Sequence, residues 1–481
     1  MPQQLISAHA EISAAWLGDV LGRPLRLLDE PVGIGTGQMS ESYRVRYAHD
    51  EDGEERTVIV KLPATDPTSR ATGVGLGAYG REVSLYRNLA PRMGDGVPAC
   101  HHAEIDPSTG EFVLVLGDAA PARVGDQIAG CSPDEARVAL LQLARIQAPF
   151  INDLILGSTD WLNLPNPLTQ AVFGQLLPGC LERVGDRLDA DQVGALQAFA
   201  ERVDAWTADR RAPLGLVHGD FRLDNLLFDD DHCTVVDWQT VTWGSPLYDV
   251  AYFLGGSLRT DDRRAHEQEL VRAYHAELVA LGVRDFAWEH CWEEYRRHAF
   301  GGVLLNVVAS MVVEQTERGD EMFRVLLDRH TRHILDMDAV ALLPQAGEVP
   351  EPLQPEPGDE ALHEPGPEAS WNESVYLDAV SDAGDLGVYA RIGRLPNQDA
   401  SVISVCVCGP DRPSIMLAVD PAPMPAAEGA AQSLDDGAQH VAYDVEEPLR
   451  RARFRVTGTA ASHTDASAPL RGEAGEPVDI A

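Results

Sequence analysis

The stretch that most constrains the fold is VHGDFRLDNLLF, residues 217–228, which sets polar side chains between two apolar runs. The flanking runs are typical of short buried segments, so the polar insert lies where a core would otherwise continue. Buried polar groups cost free energy unless they are paired. We therefore expect these side chains to contact one another, a ligand or a metal ion.

Together with the strand that follows it, this insert offers a set of oxygen ligands. Asp220 and Asn225 lie five residues apart, and Asp237 comes later in CTVVDWQ. Mg²⁺ takes one or two carboxylates and completes its shell with phosphate oxygens and water. The three side chains therefore indicate a magnesium site, in which Asp220 is also free to accept a proton from an incoming hydroxyl.

The first part of the chain is rich in predicted strands. Two strand-like runs, 40–48 and 56–63, are joined by an acidic turn and predict a hairpin. A helix is predicted at 78–90 and a further strand at 111–118. From Ser132 the pattern becomes helical, because SPDE supplies an N-cap serine, a proline at the first helical position and a glutamate three residues after the serine.

These patterns predict an α+β fold in several parts. A β-rich lobe over 1–118 precedes a helical lobe over 119–344. Residues 345–370 are rich in Pro and Glu and predict an extended linker. The period then changes to two, which predicts a β-meander over 371–458, and the tail at 459–481 is expected to be disordered.

The charge and the cysteine content of the chain restrict the binding partners and the cellular compartment that we expect for it. With 76 acidic and 38 basic residues the net charge is −38, which argues against nucleic acid or an anionic membrane as a partner. The first twenty residues lack the pattern of a signal peptide, and no apolar run reaches the length of a membrane span. The seven scattered cysteines show no CxxC spacing, so we expect a reduced cytoplasmic protein.

The insert and a second stretch, GSPLYDVAYFL at 244–254, resemble the aminoglycoside phosphotransferase and choline-kinase-like family, which has the bilobal protein-kinase-like fold. The insert HGDFRLDN is also similar to the kinase domains fused to acyl-CoA dehydrogenases. The resemblance covers roughly residues 25–340 and implies that the lobe over 1–118 binds ATP and the lobe over 119–344 is catalytic. The C-terminal β module faintly resembles lipocalin-type barrels.

The resemblance implies roles for the polar residues of the second lobe. Asp220 would be the catalytic base, and Asn225 and Asp237 would bind Mg²⁺. Arg222 would hold the transferring phosphoryl group, since a guanidinium can follow redistributed negative charge. His218 and Asp249 would support the loop from inside.

It also implies nucleotide contacts in the first lobe. Lys61 would contact the α- and β-phosphates, with Glu82 as its ion-pair partner, although Glu111 remains an alternative partner. The glycine-rich loop over 33–45 would approach phosphate. The full set of nucleotide-binding candidates is Lys61, Glu82, Gly35, Gly37, Ser40, Val115, Leu116 and Gly117. The last three belong to the main chain over about 115–118, which would be the hinge that binds adenine.

The implied activity is transfer of the γ-phosphoryl group from ATP, with Mg²⁺, to a hydroxyl of a small molecule. The residues leave the acceptor open, and by analogy we expect a lipid-like or acyl compound. The alternative is a catalytically weak, kinase-like scaffold whose C-terminal β module carries the main binding role. That module could also join copies of the chain into a homo-oligomer. Finally, RHTRH at 329–333 resembles a metal cluster, but we expect surface histidines there.

Overall fold

The computed structural model describes residues 5–35, 39–313, 315–345, 361–366, 369, 371–381, 385–410, 412–447, 450–465, 468 and 473–480. The chain divides into two compact units, Met1–Pro350 and Glu351–Ala481. The division falls inside the segment predicted as a linker, most of which (346–360, 367–368 and 370) lies outside the described residues.

An antiparallel six-stranded sheet opens the first unit. Its strands are β1 Leu25–Leu27, β2 Val32–Ile34, β3 Ser40–His49, β4 Glu55–Pro63, β5 Cys100–Ile105 and β6 Phe112–Gly117. Their order is β1-β3-β4-β6-β5, with β2 also paired to β3. The hairpin predicted at 40–48 and 56–63 is confirmed as β3 and β4, in register from Ser40–Pro63 to Ala48–Glu55.

Helices make up most of the rest of the first unit. They are α1 Ala14–Leu21, α2 Pro67–Gly75, α3 Ala78–Asn88, α4 Pro133–Gln147, α5 Leu154–Gly157, α6 Gln170–Val184, α7 Ala190–Ala200, α8 Val203–Ala208, α9 Leu247–Ser257, α10 Thr260–Ala280, α11 Trp288–Arg297, α12 Gly301–Val312 and α13 Glu317–Asp336. The capping box predicted at Ser132 and Glu135 is present at the start of α4. Within the described ranges, no helix is both long enough and apolar enough to cross a membrane.

Short strands position the polar insert among these helices. They are β7 Arg123–Val124, β8 Gly215–Val217, β9 Leu226–Asp229, β10 His232–Val235 and β11 Thr242–Gly244. One small sheet has the order β10-β9-β7, and β11 pairs with β8. The loop at 218–225 therefore runs from β8 to β9, and Asp237 follows β10 closely.

The second unit is a nine-stranded antiparallel sheet. Its strands are β12 Glu373–Val380, β13 Gly387–Leu395, β14 Ala400–Cys408, β15 Ser414–Ala422, β16 Ala426–Glu428, β17 Ala431–Asp435, β18 Gln439–Glu447, β19 Arg451–His463 and β20 Glu476–Ile480. They follow the order β12-β13-β14-β15-β19-β18-β17-β16, and β20 pairs with β19. The predicted α+β class with a separate β-rich module is confirmed.

The expectation of a disordered tail at 459–481 is wrong for the part that the structure describes. Strand β19 continues to His463, and β20 pairs with it from Gly458–Ile480 to Ser462–Glu476. The side chains of Val478 and Ile480 pack against the small apolar cluster around Ala390 and Val405. Burial of these two side chains stabilises the folded conformation of the tail. The mostly polar composition of the tail gives no indication of this packing.

Candidate active site

The loop after β8 is held from beneath by Asp249, on α9. One carboxylate oxygen of Asp249 accepts the main-chain N–H of His218 at 2.7 Å and the other accepts that of Gly219 at 2.9 Å. Gln147 donates a third hydrogen bond, at 3.0 Å. Burial raises the pKa of Asp249 to about 7, against the lowering effect of these donors. The scaffold role predicted for Asp249 thus has a direct structural basis.

Gly219 and His218 fix the course of this loop. Gly219 has φ +84°, and a Cβ there would lie 2.7 Å from the carbonyl oxygen of Thr240, so both conformation and space favour glycine. The Nε2 atom of His218 lies 3.0 Å from the carbonyl oxygen of Val236, while Nδ1 faces the N–H of Asp220 at 3.2 Å. Burial lowers the pKa of His218, so the neutral ring can donate from Nε2 and accept at Nδ1.

The carboxylate of Asp220 has donors on both oxygens. Oδ2 accepts from Nδ2 of Asn225 and from Nε of Arg222, each at 3.1 Å. Oδ1 accepts the hydroxyl of Tyr252 at 2.9 Å. The side chain keeps 21% of its surface exposed, so it remains accessible to a substrate.

Asn225 and Asp237 supply the oxygens of the predicted magnesium site. The amide nitrogen of Asn225 donates to Asp220, which leaves its carbonyl oxygen as a ligand. Asp237 stands in the left-handed region at φ +66°, a conformation that non-glycine residues adopt rarely and often at functional sites. Among the described residues, no group of three or more His, Cys, Asp or Glu side chains could hold a metal. One carboxylate and one amide oxygen are ligand types that Mg²⁺ accepts when phosphate and water complete its shell, so the magnesium site stays a prediction.

Lys61 joins the two lobes of the first unit through buried ion pairs. Its ammonium lies 2.7 Å from Glu82 on α3 and 2.7 Å from Asp237. Burial alone would lower the pKa of Lys61, but the two carboxylates raise it above its ordinary value. Burial raises the pKa of Glu82, whereas Lys61 overcomes burial at Asp237 and lowers the pKa there. Glu111 instead pairs with Arg70 at 3.1 Å, which leaves Glu82 as the partner of Lys61.

Arg222 is engaged within the same loop. Besides Asp220, its guanidinium contacts Asp224 at 3.2 Å and the sulfur of Met322 at 3.6 Å. The charge of Asp220 raises the pKa of Arg222, so the side chain is a permanent cation beside the catalytic candidate. These contacts use Nε and Nη1, and a guanidinium has five N–H donors in all, so a contact with a phosphoryl group stays a prediction.

The glycine-rich loop is described only in part. Gly35 has φ +74°, and a Cβ placed there would meet open space, which suits a loop that approaches a ligand. Gly37 lies outside the described residues. Ser40 is buried at the start of β3, where it pairs with Pro63. Phosphate contacts from this loop stay a prediction.

The hinge predicted over about 115–118 lies at the end of β6. Val115 and Leu116 lie in β6 between β4 and β5, so their main-chain groups belong to the sheet ladder. The N–H of Gly117 donates to the carbonyl of Ala99 at 2.7 Å. Asp118 follows β6 directly, and its carboxylate is fixed by Arg44 at 2.7 and 3.1 Å. Adenine binding by this segment stays a prediction.

Two features of the site were missed by sequence reasoning. Tyr252 contacts Asp220, although its place three residues after Asp249 on one helix face was an available signal. The histidines of RHTRH are buried, not on the surface: His330 is 1% exposed and His333 fully buried. Both histidines pack against glycines of α9, and His330 also against Gly302 of α12, where a Cβ would meet the rings. Glycines inside helices were the overlooked signal.

Comparison with known protein families gives two matches. The family described as "Phosphotransferase enzyme family" matches residues 33–290, more than half of the 481 residues. That range contains every residue of the site described above except Gly302, Met322, His330 and His333. A domain of unknown function, DUF7064, matches residues 356–478. The second match names no activity for the C-terminal unit, so its resemblance to lipocalin-type barrels stays a prediction.

Curated relatives match over short segments. Acyl-CoA dehydrogenase family member 11 of Rattus norvegicus is 44% identical over 62 residues, which is 11% of this chain and 8% of that protein. The probable acyl-CoA dehydrogenase IBR3 of Arabidopsis thaliana is 50% identical over 44 residues, 8% of this chain and 5% of that protein. The chain thus spans less than a tenth of the length of these relatives.

Solved structures similar to this one include kinases. A choline/ethanolamine kinase family protein from Mesorhizobium loti is 16% identical with a TM-score of 0.36, covering 66% of this chain and 90% of that one. Aminoglycoside phosphotransferase APH(2'')-Ib with bound ADP is 17% identical with a TM-score of 0.37, covering 64% of this chain and 94% of that one.

Proposed function

Because the chain belongs to the phosphotransferase enzyme family, we propose that its first unit transfers the γ-phosphoryl group of ATP to a hydroxyl group of a small molecule. Family membership supports the phosphotransferase class. The choice of ATP, of Mg²⁺ and of a hydroxyl acceptor is our proposal, and it rests on the side chains that the fold brings together.

The observation that carries this proposal is the convergence of Lys61, Glu82 and Asp237 next to the loop of Asp220 and Asn225. Lys61 and Asp237 are 176 residues apart in sequence, yet their charged atoms lie 2.7 Å apart. A buried cation, two oxygen ligands and an accessible carboxylate are the components that phosphoryl transfer requires, since positioning and charge stabilisation dominate its catalysis.

In the proposed reaction the acceptor oxygen forms a bond to the γ-phosphorus while the bond from that phosphorus to the bridging oxygen of ADP breaks. Asp220 orients the acceptor hydroxyl and receives its proton. Lys61 has three N–H donors, and after Glu82 and Asp237 one remains for a phosphate oxygen. The positive charge of Arg222 stabilises the negative charge of the phosphoryl group during transfer.

Magnesium fits the remaining oxygens of the site. Asn225 and Asp237 would hold the ion, which would neutralise the negative charge of the phosphates.

The acceptor we propose is a hydroxylated lipid-like or acyl compound, because the relatives matched over short segments carry acyl-CoA in their names. The free thiols of all seven cysteines support a cytoplasmic location.

The test is a screen of the purified full-length protein with γ-labelled ATP and Mg²⁺ against a panel of acceptors. The panel should contain hydroxyacyl-CoA thioesters, hydroxylated lipids, sugars, choline and aminoglycosides, with Asp220→Asn as the control. We expect label transfer that the control lacks, strongest with an acyl acceptor. Tight nucleotide binding without transfer to any acceptor or to water would instead favour a binding protein.

A further inference from the structure

Tyr252 makes a contact with the candidate base that the proposed roles do not use. Its hydroxyl donates to Oδ1 of Asp220 at 2.9 Å, while the other donors, Asn225 and Arg222, are both on Oδ2. Each carboxylate oxygen has two in-plane lone pairs. Oδ2 therefore has both occupied, and Oδ1 keeps one for a further donor.

The ring of Tyr252 is held in place by stacking on both sides. It lies against Tyr248 with ring centroids 6.3 Å apart and an angle of 9°, and against His330 at 5.5 Å and 25°. Only 6% of Tyr252 is exposed. With its ring confined in this way, the hydroxyl has little freedom to leave the carboxylate.

Glycines in two helices make room for this arrangement. A Cβ at Gly256 would lie 2.8 Å from Nε2 of His330, and one at Gly255 would lie 2.8 Å from its Nδ1. A Cβ at Gly302 would overlap the same ring. Glycine inside a helix costs about 1 kcal/mol relative to alanine. Such positions in α9 and α12 allow an imidazole to pack directly beneath Tyr252.

The protonation states agree with a fixed donor. Burial and the neighbouring charge of Asp220 raise the pKa of Tyr252 well above its ordinary value, so the phenol keeps its proton. Burial lowers the pKa of His330 to about 3, so the stacked imidazole is neutral near pH 7. The neutral imidazole of His330 packs against Tyr252. Because it carries no charge, it does not attract the carboxylate of Asp220.

We propose that Tyr252 is a positioning residue that makes Oδ1 of Asp220 the oxygen that receives the acceptor's proton. The acceptor hydroxyl donates to the open lone pair of Oδ1 beside the Tyr252 hydroxyl. As its oxygen bonds to the γ-phosphorus and ADP leaves, the proton passes to Oδ1. Tyr252 itself gains and loses no proton. The inference rests on the proposed function.

The test compares Tyr252→Phe with Tyr248→Phe in the full-length protein. Tyr248 is one turn earlier on α9 and stacks on Tyr252, but its hydroxyl lies 3.4 Å from the carbonyl of Gly301 and not on Asp220. It is therefore a matched control for loss of a buried hydroxyl. The assay is ATP turnover with water as acceptor, and with any acceptor found in the panel, over pH 5 to 9.

We expect Tyr252→Phe to lower kcat about 10- to 100-fold, the range for loss of a hydrogen bond to a charged group, with little change in KM for ATP. A fall in kcat without a matching rise in KM distinguishes loss of positioning at Asp220 from weaker nucleotide binding. Tyr248→Phe should keep the wild-type kcat and KM.

The outcomes separate this inference from the proposed function. Wild-type turnover together with an unchanged kcat in Tyr252→Phe overturns the inference and leaves the function standing. Equal effects in both variants also overturn it, because they indicate a general packing role. A wild-type protein without any turnover overturns the proposed function and the inference with it.

Discussion

Replacing Lys61 by Met should destabilise the protein at pH 7 and much less at pH 5. Met has a similar length, so the main loss is the charge that compensates Glu82. The Glu82 side chain is only 2% exposed, and its partner ammonium lies 2.7 Å away. Breaking a buried pair by removing one partner leaves an uncompensated buried charge, which is costly.

The destabilisation of Lys61→Met has an upper limit, because Glu82 can take up a proton when Lys61 is absent. Neutral pH lies 2.5 units above its ordinary pKa of 4.5, so protonation costs at most about 3.4 kcal/mol at about 1.36 kcal/mol per unit. At pH 5 the same cost is about 0.7 kcal/mol. Asp237 adds less, because its side chain is 26% exposed and water can solvate it.

The sign of the pH dependence is fixed by the direction of the shift. Without Lys61, burial holds the pKa of Glu82 above its unfolded value. Stability from such a group is complete below about pH 4.5 and is lost as the pH rises through the folded-state pKa. The deficit of Lys61→Met relative to wild type should therefore grow from pH 5 to pH 7.

The assay is urea unfolding of the full-length protein, followed by tryptophan fluorescence at both pH values. Seven of the eight tryptophans lie in the first unit, so the signal reports on the unit that contains the substitution. The control is Lys61→Met/Glu82→Gln, which should recover most of the stability and still lack phosphoryl transfer. Equal stability of Lys61→Met and wild type at pH 7, a deficit that is the same at both pH values, or no recovery in the double variant would refute the reasoning.

Three further predictions concern the loop, the histidine packing and the unit boundary. Asp249→Asn should cost about 1–3 kcal/mol in urea unfolding, because one main-chain N–H of the loop would face an amide NH₂; an unchanged midpoint would contradict this. Gly302→Ala should lower the thermal midpoint and turnover together, since the new methyl would displace His330, while Gly174→Ala, with open space at its Cβ in α6, should leave turnover unchanged and should not lower the midpoint. A chain ending at Leu343 should fold and keep nucleotide binding, and limited proteolysis of the full chain should cut first within 345–370; loss of binding after truncation would show that the two units depend on each other.

The spacing of polar residues made much of the site predictable. Asp220 and Asn225 lie five residues apart, with a short 3-10 turn at Leu223–Asn225, so their proximity is a local property of the chain. Lys61 lies on β4 and Glu82 on α3, and their contact in the structure is the one that the family resemblance implied. Their catalytic roles stay predictions.

Contacts that depend on packing between helices could not be predicted from the spacing of residues in the sequence. The contact of Tyr252 with Asp220 depends on how α9 lies beneath the loop, and His330 is buried because glycines of α9 and α12 leave space for its ring. The charged residues around the histidines suggested a surface, yet Arg329 is itself buried and donates to the carbonyls of Gln127 and Gly256.

The second unit shows the limits of strand patterns. The alternation over 371–458 predicted a β-meander, and it is clear in β12 to β15 and β19 but weak in β16, β17 and β18. Strand β20 lies in the tail that was expected to be disordered. The weakly marked strands include short segments such as Ala426–Glu428 and Ala431–Asp435, whose residues have weak strand preference. Their order comes from pairing with neighbours, which no single segment reveals.

The measurement that tests the central claim most directly is calorimetric titration of ATP, with and without Mg²⁺, into wild-type protein and the variants Asp237→Ala and Asp220→Ala. The proposed roles predict that Asp237→Ala loses the part of the affinity that depends on Mg²⁺, because Asp237 would hold the ion. Asp220→Ala should bind MgATP nearly as tightly as wild type and show no transfer, because Asp220 would face the acceptor. Equal loss of nucleotide binding in both variants, or ATP affinity that is independent of Mg²⁺ in the wild-type protein, would contradict the proposed roles.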